Sequence, residues 1–232
     1  MRYKAIFIDI DDTLLDYIPC CREAFDIALI GLAKEKGSKL DEKEPELFDL
    51  FFSISGRLFS EAKRGLHTVA EVMDLYPAEF CERAGFSAES VEPFKHAFRK
   101  AWGTTHTLVP EAKETLETLR SRGFRLFAAS NSFGHLQRSR LQHAGILHYF
   151  EDTFISMDIG YDKPDVRFYE EALHRCGLAP KDVLMVGDSM TTDIVGAQQA
   201  GLDTCWFNRY EEQREDAQPT YVIRRLSELI SL

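Results

Sequence analysis

The sequence predicts an α/β protein: a doubly wound, parallel, Rossmann-like sheet carrying an inserted α-helical cap domain. Three observations lead there. Five short apolar runs are continuous rather than alternating, as strands covered on both faces of a parallel sheet are. The last four runs are separated by amphipathic helical patterns, the rhythm of βαβ units. The long stretch between the first run and the second holds helical patterns and no convincing strand.

The strand candidates are Lys4–Asp9, Arg125–Ser130, Thr153–Met157, Val183–Asp188 and Thr204–Asn208. Before the second of these, Pro110 stands at a first-turn position, Ala112, Leu116 and Leu119 share a helix face, and Gly123 supplies the stop. Val166, Tyr169, Ala172, Leu173 and Cys176 form a second stripe closed by Gly177, and Ile194, Ala197 and Ala200 a third closed by Gly201. The insert carries four helical patterns, Ala24/Phe25/Ala28/Leu29/Leu32, Leu47/Phe51/Ile54/Leu58, Val69/Val72/Met73/Tyr76/Phe80 and Val91/Phe94/Phe98/Ala101, punctuated by charged turns such as Lys34–Glu46. The expected division is a core of residues 1–15 and 106–232 with a helical cap over 16–105, joined by connections near Leu14–Pro19 and Gly103–Val109.

Composition narrows the function. Of 232 residues 44% are hydrophobic and 28% charged, ordinary globular usage. The net charge of −10 disfavours nucleic acid and anionic membranes as partners. No apolar stretch approaches the ~20 residues of a membrane span, and Met1–Asp9 meets charge too soon for a secretory signal. Five cysteines, Cys20, Cys21, Cys81, Cys176 and Cys205, show no CxxC spacing and read as buried thiols of a reducing cytoplasm.

Polar and acidic residues gather where the parallel strands end: Asp9-Ile10-Asp11-Asp12-Thr13, Ser130-Asn131, Asp162-Lys163-Pro164-Asp165 and Gly187-Asp188-Ser189-Met190-Thr191-Thr192-Asp193. Strand carboxyl ends form the ligand crevice of open α/β sheets, so the four segments should converge. Either a DxD turn or a GDS turn alone is often only a helix cap. Together the segments point to phosphoryl transfer. Crowded carboxylates need a cation, and hard oxygen donors with room for water suit Mg²⁺, with no His/Cys cluster to suit zinc. The metal and Lys163 would neutralise a phosphate dianion. Asp9 is the candidate nucleophile, forming an acyl phosphate. Asp11 would protonate the leaving oxygen and then deprotonate water. The Ser130 hydroxyl would hold the transferring oxygens.

These four segments resemble the signature motifs of the haloacid dehalogenase-like (HAD) hydrolase superfamily, and the helical insert resembles that family's cap. The resemblance implies that Asp9 is the nucleophile and Asp11 the acid/base. It implies that Asp9, the Asp11 carbonyl and Asp188 hold Mg²⁺, with Asp193 a ligand or outer-sphere partner. It further implies that Thr13 orients the loop, Ser130 holds phosphate and Lys163 pairs with Asp9. The dehalogenases lack an aspartate two residues after the nucleophile, so Asp11 favours a phosphatase; a phosphomutase, and the phosphonate-cleaving branch through Lys63, stand as alternatives. Cap features such as Arg57-Leu58-Phe59, Lys63-Arg64-Gly65 and Thr68 are similar to a pyrimidine 5′-nucleotidase subgroup, although Ser53–Ser55 and Phe59 stand where that subgroup tends to carry asparagine and tryptophan. Thr13, Asn131, Arg57 and Arg64 are therefore candidate substrate-binding residues. Phe59, Phe51, Phe52 and Trp102 also suit a cap core, and both arginines a solvated face. The expected substrate is a small phosphorylated metabolite, a nucleoside 5′-monophosphate first and a sugar phosphate or phosphoglycolate next. A phospho-accepting receiver domain and an inactive scaffold are the rival classes: the former would carry its acceptor aspartate on the third strand, the latter would show losses at Asp9, Asp11, Lys163 or Asp188.

Overall fold

The computed structural model describes residues 2–36, 44–213 and 217–232, and the chain divides into two compact units, one of residues 1–17 and 106–232 and one of residues Ile18–Thr105. The first unit is built on six strands: β1 (Ala5–Ile8), β2 (Arg125–Ser130), β3 (Asp152–Ile155), β4 (Val183–Gly187), β5 (Asp203–Phe207) and β6 (Tyr221–Ile223). All pair in parallel, in the order β3-β2-β1-β4-β5-β6. The central strand is the first in sequence: Ala5 registers with Arg125 on one side and Val183 on the other.

Both faces of the sheet are buried, which is why its strands read as unbroken apolar runs. Ile6, Ile8, Leu126, Ala128, Leu184 and Val186 face one layer, which holds helix α5 (Ala112–Ser121) and Leu226 and Leu229 of the C-terminal 3₁₀ turn. Ala5, Phe7, Phe127, Ala129, Val183 and Met185 face the other, packed on Phe168, Tyr169, Ala172 and Leu173.

The second unit is helical: α1 (Tyr17–Lys36, its first residue belonging to the sheet unit), α2 (Glu44–Lys63), α3 (Val69–Arg83) and α4 (Val91–Trp102). Helix α3 opens on a capping box in which the Thr68 hydroxyl accepts the Glu71 N–H and the Glu71 carboxylate accepts the Thr68 N–H. Its core is aromatic: Phe51 lies 5.0 Å from Phe25, 5.1 Å from Phe98 and 5.3 Å from Tyr76, ring centre to ring centre. Trp102 stacks on Phe98 and Phe52 on Phe48. Residues 37–43 of the charged turn Lys34–Glu46 lie outside the described residues.

The remaining helices belong to the sheet unit: α6 (Gly134–His143), α7 (Ser156–Ile159), α8 (Val166–Cys176) and α9 (Gly196–Gln199). Four features depart from expectation. Strand β3 ends at Ile155, and Met157, expected in the strand, lies on α7 and is exposed. Helix α5 starts at Ala112, not at Pro110, because Glu111 adopts a left-handed φ of 68° and its carboxylate accepts the Ser227 N–H. The stripe Ile194/Ala197/Ala200 is not one α-helix but a π-helical turn, Met190–Val195, followed by the single turn α9. The three-residue edge strand β6 carries too few residues to show as an apolar run.

The two segments that lead out of and back into the sheet unit run side by side. Leu15 bridges Leu108 in antiparallel fashion, the Asp16 N–H donates to the Thr107 carbonyl and the Val109 N–H to the Leu14 carbonyl.

Phe51 is buried and touches the rings of Phe25, Tyr76, Phe80, Phe94 and Phe98, so Phe51→Ala is expected to cost ~3–5 kcal/mol of stability. Denaturant unfolding followed by circular dichroism should show the helical signal lost at a clearly lower midpoint than in the wild type.

Candidate active site

The site is assembled at the carboxyl ends of β1, β2 and β4. Asp9 follows β1, and its backbone N–H still donates to Val186 of β4 at 2.9 Å, so the carboxylate is held on rigid sheet. The chain then turns sharply: Leu14 and Leu15 N–H groups both donate to the Ile10 carbonyl, and Asp12 takes a left-handed φ of 58°. Asp12 spends its side chain on the turn, accepting the Tyr17 N–H at 3.1 Å. This turn places Asp11 two residues from Asp9 with its own set of partners.

Lys163 sits at the centre and is buried. Its ammonium has three N–H groups and finds three acceptors: Asp9 Oδ1 at 2.7 Å, Asp193 Oδ1 at 2.6 Å and the Ala129 carbonyl at 2.8 Å. Asn131 clamps the lysine backbone at both ends, its Oδ1 accepting the Lys163 N–H at 2.7 Å and its Nδ2 donating to the Lys163 carbonyl at 2.8 Å. One cation between two buried carboxylates leaves a negative charge uncompensated. Burial therefore pushes the Asp9 carboxyl up to about 7; Lys163 pulls it down and Asp193 pushes it up again. Burial alone would lower the Lys163 ammonium, but Asp193 and Asp9 outweigh it and hold it above the usual lysine range.

Asp193 reaches this position because of two local features. The π-helical turn folds its carboxylate back so that Oδ2 accepts the Ser189 N–H at 3.0 Å. Gly187 makes room, since a Cβ there would lie 2.4 Å from Asp193 Cγ. Asp188 is fixed by Thr13, whose hydroxyl accepts the Asp188 N–H at 3.1 Å and donates to Oδ1 at 3.3 Å, and its carbonyl accepts from Trp206 Nε1.

The structure thus brings together Asp9, Asp11, Thr13, Ser130, Asn131, Lys163, Asp188 and Asp193. The Thr13 hydroxyl is wholly buried and holds Asp188, and the Asn131 amide holds the Lys163 backbone through Oδ1 and one Nδ2 hydrogen. Arg57 and Arg64 lie in the helical unit. Arg57 is exposed and engaged by Glu61 at 3.0 Å and Glu79 at 2.5 Å, and Arg64 is exposed at the end of α2.

Asp9, Asp188 and Asp193 each offer a carboxylate oxygen within 4.8 Å of the others. Asp9 Oδ2 accepts no hydrogen bond among the described residues, whereas both Asp193 oxygens are taken. An all-oxygen, carboxylate donor set of this size fits a hard divalent cation such as Mg²⁺.

Two residues absent from the sequence reading enter here. Gln137 and Arg140 of α6 are wholly buried and hold the Asp11 carboxylate, Gln137 Nε2 at 2.7 Å from Oδ2 and Arg140 Nη1 at 2.6 Å from Oδ1. Their one cue in sequence is that they share a helix face with Leu136 and Leu141, an unusual place for a glutamine and an arginine.

A strand-end site of this kind, with an acidic cluster and a buried lysine on a parallel sheet interrupted after its first strand, defines the class. The chain belongs to the haloacid dehalogenase-like hydrolase family, whose model matches residues 3–201, and the protein is accordingly a hydrolytic enzyme. It is 31% identical over 234 residues to the pyrimidine 5′-nucleotidase PynA of Streptococcus pneumoniae, covering 99% of this chain and 94% of that one. It is 29% identical over 234 residues to the glyceraldehyde 3-phosphate phosphatase of Methanopyrus kandleri, covering 99% and 96%. The crystal structure of the HAD-hydrolase YfnB from Bacillus subtilis, bound to magnesium, superposes with a TM-score of 0.85 at 29% identity over 100% of this chain and 98% of that one.

Two outcomes follow from this geometry. Gly187→Ala is expected to displace the Asp193 carboxylate and with it Lys163, lowering kcat about a hundredfold while the circular dichroism stays native. In metal-free protein the Asp9 carboxyl holds its proton to about pH 7, above its value in the unfolded chain, so Asp9 contributes stability at low pH that is lost as the pH rises through 7. A cation must displace that proton. Thermal unfolding with and without Mg²⁺ should therefore show stabilisation that grows from pH 5.5 to pH 8, and that pH dependence should vanish in Asp9→Asn.

Proposed function

We propose that the protein is a magnesium-dependent phosphatase that hydrolyses a small phosphomonoester through an aspartyl phosphate on Asp9, with a nucleoside 5′-monophosphate as the first substrate class. The observation that carries this reading is the buried Asp9–Lys163–Asp193 triad, which aims one Asp9 oxygen at the lysine and leaves the other without a hydrogen bond. Asp9 Oδ2 attacks phosphorus while the ester oxygen departs with a proton from Asp11. Asp11, now ionised, takes a proton from water as the water oxygen attacks phosphorus. The bond to Asp9 breaks, inorganic phosphate leaves, and both aspartates return to their starting states. Lys163 balances the charge that gathers on the transferring group, and the Ser130 hydroxyl, which accepts from Gln137 at 2.9 Å, keeps its own proton to donate to a phosphate oxygen. Asp9, Asp188 and the Asp11 carbonyl would hold Mg²⁺, with Asp193, whose oxygens accept from Lys163 and the Ser189 N–H, a ligand or an outer-sphere partner. Bound there, the cation supplies charge neutralisation and orientation of the phosphoryl group.

The nucleotide reading is supported by the likeness to PynA and by the features of the helical unit that resemble the pyrimidine 5′-nucleotidases. A second reading, a sugar or triose phosphate, is supported by the equally long match to the Methanopyrus phosphatase. All five cysteines are buried and none forms a disulfide, which supports a cytoplasmic enzyme.

Inorganic phosphate release from a panel of nucleoside monophosphates, sugar phosphates and phosphoglycolate, with Mg²⁺ and with EDTA, tests both readings. The expected result is preferential release from the nucleotides, abolished by EDTA. Asp9→Asn should lose at least ~10⁴-fold in kcat, since a neutral amide is a poor nucleophile; turnover within tenfold of wild type would sink the mechanism.

A further inference from the structure

Asp11 does not stand alone at the edge of the site. Its side chain is a quarter exposed, yet both carboxylate oxygens are held by side chains with no exposure at all. Arg140 Nη1 donates to Asp11 Oδ1 at 2.6 Å and also to Gln137 Oε1 at 2.9 Å. Gln137 Nε2 donates to Asp11 Oδ2 at 2.7 Å and also to Ser130 Oγ at 2.9 Å. The four residues form a connected network that runs from the acid/base to the phosphate-binding hydroxyl, and its two donors come from successive turns of α6.

Such an arrangement costs the fold something. A fully buried guanidinium loses its hydration, and a buried ion pair often contributes less to stability than apolar side chains of the same volume would. The same face of α6 carries Leu136 and Leu141, so apolar residues fit there. What the polar pair provides is direction. A carboxylate gripped at both oxygens by rigid donors cannot rotate freely about its side-chain bonds, and proton transfer depends on that orientation.

We propose that Gln137 and Arg140 are positioning residues that set the orientation of Asp11 for proton transfer to the leaving oxygen and tie it to Ser130. The proposal rests on the reading of Asp11 as the acid/base. Neither residue touches the reacting atoms; both act through Asp11, and Gln137 also holds Ser130.

The test compares two esters that differ in their need for an acid. p-Nitrophenyl phosphate leaves as a stable phenolate, whereas UMP leaves as an alkoxide and requires the proton. The quantity is kcat/KM, which covers steps up to transfer of the phosphoryl group and excludes its later hydrolysis. Arg140→Met and Gln137→Met should each lower kcat/KM at least tenfold on UMP and less than threefold on p-nitrophenyl phosphate, within the range of ~10²–10⁴ that positioned proton transfer is worth. Arg140→Lys, which keeps a donor, should recover part of the loss. Because Arg140→Met removes the buried charge that pairs with Asp11 whereas Gln137→Met removes only a neutral amide, Gln137→Met is the variant that keeps the test decisive if Arg140→Met does not fold. In an Asp11→Asn background, Gln137→Met should cost less than about twofold more, as expected for residues acting as one unit.

Equal losses on both esters, or losses that add fully to that of Asp11→Asn, would assign the pair a merely structural role and overturn the proposal. If Asp11→Asn itself fails to discriminate between the esters, the acid/base reading falls, and the proposal with it.

Discussion

The site depends on one buried ammonium. Lys163 lies where two carboxylates from different parts of the chain would otherwise repel each other across a desolvated gap, and it uses all three of its N–H groups to hold them and the end of β2. A buried ion triad is poor value for stability alone, and almost everything around it serves to keep it in place. Asn131 locks the lysine backbone, Gly187 clears a path for Asp193, the π-helical turn bends that aspartate inward, and the Tyr169 hydroxyl caps the Thr192 carbonyl on the same turn. Gly196 completes the packing, since a Cβ there would meet the Cα of Pro164 at 2.8 Å. The residues that follow strands β1, β2 and β4 are thereby tied into one rigid unit, and preorganisation of that kind is what phosphoryl transfer demands of a protein.

Two layers of organisation can be separated. The inner one joins Asp9, Lys163 and Asp193 and is buried. The outer one joins Asp11, Gln137, Arg140 and Ser130 and reaches the surface only through Asp11. The two carboxylates of the first loop, separated by a single residue, therefore sit in different electrostatic surroundings, one beside a lysine shared with a second acid, the other beside an arginine and an amide. Neighbouring groups with divided roles need such divided environments.

How much of this could be read in the sequence follows from the range of each interaction. Strands β1 to β5 are legible because burial on both faces writes an uninterrupted apolar run into consecutive residues, and the helices of the Ile18–Thr105 unit because a 3.6-residue period is local. The acidic and polar strand ends were legible because each motif is contiguous. What was not legible is pairwise and distant. The Thr13 contact with Asp188 and the clamp of Asn131 on the Lys163 backbone each join residues far apart in sequence. Gln137 and Arg140 belong to a helix whose polar and apolar residues give no strong stripe, so nothing near them in sequence announces Asp11 as their partner. The π-helical turn is likewise set by where Asp193 must point, not by the helical preference of Met190–Val195.

The order of the sheet has a consequence for how the chain is made. The strand synthesised first, β1, occupies the middle of the sheet, and its two neighbours begin only at Arg125 and Val183. On the ribosome this apolar segment emerges with no edge to pair with, and the whole helical stretch from Ile18 to Thr105 is translated before its first partner exists. The helical unit, rich in local contacts, can close by itself in that interval, while the sheet waits for long-range pairing. The antiparallel junction of Leu15 with Leu108 falls between these two events in sequence: it needs the helical stretch to have been translated, and it returns the chain beside the end of the first loop just ahead of β2. The insertion thus acts as a spacer in time as well as in sequence, and Asp9 is made well before the residues after β2 and β4 that surround it.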